Sequence, residues 1–423
     1  MTAPIEVIEI RLAIHGGEPV RRKKFPTVSD ASGRNIGEEE LKELGEVIMS
    51  GKLNRVYGDK VKKFEQEFAG LFGVKHAIAS TSGTAAIHVA LGAIGVSPGD
   101  EVITSPISDM GTIIPVLFQG AIPVFSDLRR DHLTLNPDDL KKRITDKTYA
   151  IVPVHLFGMP ADMDPIMEIA EEKGLYVIED CAQAYLAEYK GRYVGTIGDM
   201  GAFSLQQSKH MTTGDGGMTI TNNDELADYA RLFADKGWDR SKGRRYVMLG
   251  MNYRMTELQG AVGLAQIKKV KWVVERRRKL ADRLNNELAD LADVLHLPIP
   301  PKNVKHSYWQ YPILVNIEKL KISISDFSAA LRAEGIPNSA GYIGEPLYLK
   351  TPLIDKKTFR RSAFPLMNPF NTREVSYYKG LCPDTEWILE RLIVIPWNEY
   401  YTEDDVDDIA EAITKVVKYY LES

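Results

Sequence analysis

Lys209 stands in SLQQSKHMTTGDGG (204–217), between a hydroxyl-rich approach and a glycine-rich exit. A lysine amine can capture a carbonyl as a Schiff base once it is free of its proton. A free lysine titrates near 10.4, so the ammonium exceeds the amine by roughly a thousandfold or more at pH 7. Desolvation or a carbonyl partner must therefore supply the reactivity. Gly214, Gly216 and Gly217 would let the chain turn sharply and approach a flat ligand closely. Taken alone, the stretch reads just as well as a lysine in a surface turn, so its neighbours in the fold carry the weight.

Three further groups sit where ligands collect. STSGTAAIHVAL places Ser82, Gly83 and Thr84 at a strand-to-helix turn. The open N–H groups of a helix start, with the Ser82 and Thr84 hydroxyls, form a phosphate cradle; the same residues also serve as a plain N-cap. Asp180 ends the apolar run LYVIED, where an ionised carboxylate needs a partner. It either caps the next turn or pairs with a protonated ring nitrogen, and Cys181 beside it packs. Ser204 ends the strand-like GAFS ahead of Lys209, and Asn252 with Arg254 precedes a long helical pattern. Neither GxxxxGK[ST] nor GxGxxG occurs, which removes a Walker loop and the dinucleotide fingerprint. A phosphate cradle, a carboxylate for a ring nitrogen and a lysine for an aldehyde together match pyridoxal 5′-phosphate.

The elements that must hold these groups are legible from the hydrophobic pattern. Apolar runs at 76–80, 101–105, 121–126, 149–154 and 175–180 alternate with helical segments such as 84–95 and 165–174. That alternation predicts a mainly parallel sheet covered by helices, with its ligand site at the carboxyl ends of the strands. Helices are expected over 37–50 and 59–73, and 255–291 reads as one long helix or a bent pair. Beyond about 292 the strand-like 308–317 and the helical 324–335 and 402–423 indicate a smaller α+β domain. The division expected is an N-terminal arm with the large domain over 1–275, and a small domain over 276–423.

Composition sets the limits. The 423 residues carry 53 basic and 58 acidic side chains, a net charge of −5 with no long basic run, so nothing marks a nucleic-acid binder. Two cysteines and eight scattered histidines supply neither a disulfide framework nor a metal-ligand motif, and no metal site is expected. The apolar stretch 111–125 is broken by two prolines, two glycines and a glutamine, which argues against a membrane span. The first residues lack a signal-type apolar core, since Glu6, Glu9 and Arg11 interrupt it. A cytoplasmic protein is the expectation.

These motifs, in this order, resemble the DegT/DnrJ/EryC1/StrS aminotransferases: the STSGTAA turn, EDCAQA (179–184), FSLQQSK followed by glycines, and GMNYRMTELQ (250–259). The resemblance runs from GGEPVRRKKFP (16–26) through SGKLNRVYG (50–58) and PVHLFGMPADMDPI (153–166) to CPDTEWILERLIVIPW (382–397). It implies a fold-type I aminotransferase with a mainly parallel seven-stranded sheet and a smaller C-terminal α+β domain. It also implies a ping-pong Schiff-base transfer of an amino group from L-glutamate or L-glutamine to a keto sugar, nucleotide-linked or not, or to a keto cyclitol. Lys209 would hold the cofactor covalently and shuttle a proton, and Asp180 would keep the pyridine nitrogen protonated. Gln183 would lie on the cofactor's hydroxyl side. Ser82, Gly83, Thr84 and Ser204 would bind the phosphate, with Asn252 arriving from the partner subunit of a homodimer.

Two positions depart from the family pattern. In SPISDMGT (105–112), Asp109 stands where an aromatic usually stacks on the ring, and Asp215 stands where glutamate is more usual. SPISDMGT, with SKHMTTGDGG and SGKLNRVYG, is similar to glutamine-dependent scyllo-inosose aminotransferases and tilts the acceptor toward cyclitols. Candidates for substrate contact are Arg55, Tyr57, Asp109, Tyr185, Trp238, Arg240 and Tyr342. The competing expectations are a related sugar dehydratase, which would need a histidine in place of Lys209, and a non-catalytic cofactor-binding regulator. His210 beside Lys209 keeps the first in view.

Overall fold

The computed structural model describes residues 11–243, 245–367, 370 and 375–422. The absence of a signal-type core was read mainly on residues 1–10, which lie outside that set. Among the described residues, no helix is long and apolar enough to cross a membrane.

Seven strands form the main sheet: β1 (His76–Ser80), β2 (Glu101–Thr104), β3 (Ile122–Phe125), β4 (Thr148–Val152), β5 (Tyr176–Asp180), β6 (Met200–Ser204) and β7 (Gly217–Thr221). Their order is β1-β7-β6-β5-β4-β2-β3. β7 runs antiparallel to both its neighbours, and the remaining pairs are parallel. The strands are buried on both faces, which is why they read as continuous apolar runs rather than alternating ones.

Helices cover the sheet. The first, α1 (Glu38–Ser50), begins with three acids, whose charge suits a helix N-terminus, and stops at Gly51 in the left-handed region. Next come α2 (Lys60–Phe72), closed by Gly73 in the same way, and α3 (Gly83–Ile94), apolar on all sides and buried from Ala85 to Ile94. The long pattern at 255–291 resolves into a bent pair, α4 (Glu257–Gln266) and α5 (Val270–Glu287).

A four-stranded antiparallel sheet follows, built on β8 (Gln310–Val315) and β9 (Leu392–Pro396), with α6 (Ile324–Ala333) and α7 (Glu403–Glu422) packed on it. The expected division at 275 falls inside α5. Its first half, Val270 and Val274, packs with the large core, and its second half, Leu280 and Leu284, packs with the small one. The N-terminal segment also differs from expectation: Leu12, Val20 and Phe25 join the C-terminal core rather than the large body.

Candidate active site

Three strand ends meet at one edge of the sheet. Because β7 is antiparallel, its first residue, Gly217, pairs with the last residues of both neighbours, Ser80 and Ser204. A Cβ on Gly217 would lie 2.0 Å from the Ser82 carbonyl oxygen, so only glycine lets the chain pass under the turn that starts α3. Gly216 and Gly217 thus serve close packing, Gly214 takes a φ of +84° in open space, and Asp215 is the residue of that run that faces the cavity.

The start of α3 has two open donors. Ser82 caps the helix by accepting from the Ala85 N–H at 3.0 Å, and its carbonyl takes the Ala86 N–H. The N–H groups of Gly83 and Thr84 have no acceptor among the described residues. Both point of need and charge suit an anion, since the helix N-terminus carries a partial positive charge. Gly83 lies so near Ser204 that an added Cβ would come within 2.6 Å of the Ser204 Cβ. These residues and the Thr84 hydroxyl line a cavity of about 380 Å³.

Asp180 closes the same cavity from the end of β5. It is 3% exposed; Thr112 Oγ1 donates to one carboxylate oxygen at 2.8 Å and the Ala182 N–H to the other at 3.1 Å. Burial pushes its pKa up, while those two donors, Lys209 and His155 hold it down. The neighbouring Glu179 is satisfied by His155 and by the N–H groups of Gly195, Ile197 and Gly198, and His155 Nδ1 accepts from the Ala161 N–H, with buried Cys181 beside them.

Lys209 is half-buried on the loop after β6. Loss of water pulls its pKa down to about 8, against the pull of Asp180 and Asp109 in the other direction. Its Nζ rests 3.8 Å from the centroid of the Trp309 ring. Asp109 is exposed in the cavity, capping a short turn through a 2.7 Å bond from the Gly111 N–H. Gln183 accepts from the Phe157 N–H at 2.6 Å and donates to the Tyr342 hydroxyl at 3.4 Å. Burial, then the charge of Asp109, pushes the Tyr342 phenol up.

Of the expected site residues, Ser82, Gly83, Thr84, Asp109, Asp180, Gln183, Ser204, Lys209 and Tyr342 line this cavity. Tyr185 does not. It is 0% exposed, packs with Phe68 and Phe203 in the large core and donates to the Ser204 carbonyl, so it is a structural residue. Arg55, Trp238 and Arg240 gather instead at a separate cavity of about 700 Å³, with Arg240 lying over the Trp238 ring and paired with Asp235. Tyr57 is 74% exposed, and Asn252 is exposed with its backbone bridged to Asp235. His210 points away from the cavity, its Nε2 donating to the Ser307 carbonyl at 2.9 Å, which leaves the dehydratase reading without a placed histidine.

The sequence reading missed Thr112 and Trp309. Thr112 lies in the very segment inspected for a stacking aromatic, four residues after Ser108, whose hydroxyl bonds it at 2.7 Å. No local signal marks Trp309, because it comes from the residue just before β8, a hundred positions beyond Lys209.

The DegT/DnrJ/EryC1/StrS aminotransferase family matches residues 34–414. The spore coat polysaccharide biosynthesis protein SpsC of Bacillus subtilis (strain 168) is 35% identical over 394 residues, 90% of this chain and 95% of that one. GDP-perosamine synthase of Escherichia coli O157:H7 is 35% identical over 324 residues, 76% of this chain and 88% of that one. Among solved structures, the aminotransferase from Psychrobacter cryohalolentis aligns with a TM-score of 0.80 at 31% identity, covering 90% of this chain and 97% of its own. NtdA from Bacillus subtilis, described with bound cofactor PMP, aligns with a TM-score of 0.80 at 28% identity, covering 94% and 85% respectively.

Proposed function

This chain belongs to the DegT/DnrJ/EryC1/StrS aminotransferase family and is a sugar aminotransferase; from that premise we propose that it passes an amino group from L-glutamate or L-glutamine to a ketone in two separate half-reactions. The observation that carries this reading is the convergence of Lys209, Asp180 and the open Gly83 and Thr84 N–H groups on one cavity.

The cavity fits pyridoxal 5′-phosphate. Its phosphate would take the two open N–H groups and the Thr84 and Ser204 hydroxyls. A protonated ring nitrogen would give buried Asp180 a direct cationic partner, beyond the more distant charges of Lys209 and His155. When bound, the cofactor supplies an aldehyde that amines capture and a ring that accepts electrons from a breaking C–H bond.

This chain's residues then divide the work. Asp180 would keep the ring nitrogen protonated, and Thr112 orients Asp180. Lys209 Nζ would hold the aldehyde carbon of the bound cofactor and, when free, would carry a proton from the substrate carbon to that cofactor carbon. Gln183 and Tyr342 form one wall, and Trp309 with Lys209 the floor.

Among the described residues, the lining of the cavity holds no arginine or histidine, so a donor carboxylate would draw on a cation from outside that lining. We take that source to be the partner of a homodimer, which Asn252 would also serve. Support comes from large apolar side chains left in the open, with Leu249 92% and Met49 87% exposed. Arg55, Tyr57, Trp238 and Arg240 lie outside this chain's own cavity and would face the partner's. The acceptor is a keto sugar, and GDP-perosamine synthase as a relative supports a nucleotide-linked one over a free cyclitol.

The test is direct. Borohydride added to the cofactor-loaded protein should fix the cofactor to the peptide carrying Lys209, and glutamate or glutamine should convert its absorbance to that of the amine form. A panel of ketones, with and without a nucleotide diphosphate, then identifies the acceptor. Persistence of the starting absorbance with both donors would rule those donors out.

A further inference from the structure

Lys209 is gripped at three successive residues by parts of the chain outside the main sheet. Trp309 Nε1 donates to the Ser208 carbonyl at 2.9 Å, Arg34 Nη1 donates to the Lys209 carbonyl at 2.8 Å, and His210 Nε2 donates to the Ser307 carbonyl at 2.9 Å. Trp309 is the member of this set that also reaches the reacting atom, with Nζ 3.8 Å from its ring centroid. That is well inside the range at which an aromatic face attracts an ammonium.

The ring has little freedom to swing away. It is 7% exposed, its backbone N–H donates to the Phe157 carbonyl at 2.8 Å, and its carbonyl accepts from buried Arg277 at 3.0 Å. Tyr342 meets it edge-on at 6.4 Å. The other charged or titratable groups toward Lys209 among the described residues are Asp180 at the end of β5, Asp109 after β2, Asp215 across the cavity, and His210 with Arg34 beside its main chain. Tyr342 closes the wall next to them.

We propose that Trp309 takes part in the reaction by receiving the Lys209 ammonium on its ring face whenever Nζ is not bonded to the cofactor. The proton that Nζ would take from the substrate carbon stays on Nζ, held in one place, until it is delivered to the cofactor carbon that bore the aldehyde, so no proton is gained or lost. This role rests on reading Lys209 as the amine that captures the cofactor. Burial works against the charged form of that amine, and the π face works for it.

The measurement is the pH dependence of reductive methylation at Lys209, read by peptide mass spectrometry on the full-length chain stripped of cofactor. Wild type, Trp309→Phe and Trp309→Met are compared. Loss of the ring in Trp309→Met should lower the labelling midpoint by about one pH unit, roughly fivefold more neutral amine at pH 7. Trp309→Phe keeps a π face and should stay within a few tenths of a unit of wild type. A midpoint in Trp309→Met equal to or above wild type overturns the proposal; Trp309→Leu repeats the comparison if the methionine variant does not fold. Borohydride trapping on wild type reports separately: its failure removes Lys209 as the capturing amine, whereas an unmoved midpoint removes only Trp309.

Discussion

At the scale of single residues, the electrostatics of Lys209 decide when the site can load its cofactor. The neutral amine is the form that captures an aldehyde. With its pKa pulled down to about 8, roughly a tenth of Lys209 is neutral at pH 7, against about one part in three thousand for an unperturbed lysine. The sign follows: lowering the pKa moves the rise of reactivity to lower pH. Cofactor capture followed by stopped-flow absorbance should climb about tenfold from pH 6 to pH 7 and level off above roughly pH 8 to 9. A rate still climbing at pH 10 would show that Lys209 is not desolvated. Asp180 sets a second expectation. Asp180→Asn keeps the shape and the Thr112 contact but cannot hold a proton on the ring nitrogen. Turnover should fall about a hundredfold or more while borohydride still traps cofactor at Lys209; turnover within threefold of wild type would count against the assigned role.

Secondary elements supply what no residue does alone. The antiparallel turn of β7 puts Gly217 between Ser80 and Ser204, and this brings the start of α3 against the end of β6. Gly83 lies at that contact, where a methyl group would sit 2.6 Å from the Ser204 Cβ. Gly83→Ala must therefore push the two backbones apart. The cofactor should bind at least about tenfold more weakly by absorbance titration, with a stability loss of about 1–3 kcal/mol in denaturant unfolding. Unchanged affinity would mean that the phosphate does not use this cradle.

Across the whole molecule, the site depends on parts of the chain far apart in sequence. The α5 helix carries both hydrophobic cores, and its Arg277, 0% exposed and paired with Glu399, holds the carbonyl of Trp309. The N-terminal segment reaches back to hold Lys209 through Arg34. If the partner subunit completes each site, two defective chains should repair one another. Lys209→Ala and Asn252→Ala, each nearly inactive alone, should recover up to about a quarter of wild-type turnover when unfolded together and refolded as a mixture. That figure is an order-of-magnitude expectation for random pairing of subunits with isologous interfaces. No recovery, with mixed dimers verified by mass spectrometry, would place Asn252 in its own chain's site or in none.

Much of this was legible from residue order. Strand ends at Ser80, Asp180 and Ser204, the cap at Ser82 and the stops at Gly51 and Gly73 follow from local chemistry, because burial pattern, capping and glycine's access to positive φ act over a few residues. The mainly parallel sheet and its covering helices came from the same periodicity, whereas the count of seven strands was an implication of the family resemblance. Contacts between distant segments had no such trace. Tyr185, close in sequence to Asp180 and Gln183, turned inward because the chain folds back there and buries its ring beside Phe203. Arg55, Trp238 and Arg240 gathered at another cavity for the same kind of reason. Trp309 and Arg34 reach Lys209 from opposite ends of the chain, and spacing along a sequence carries no information about which side chains a second domain will lay across a first. Residue order therefore singled out Lys209, Asp180 and the turn at Ser82–Thr84, which share one cavity; packing between domains determined what grips the lysine and how readily it gives up its proton.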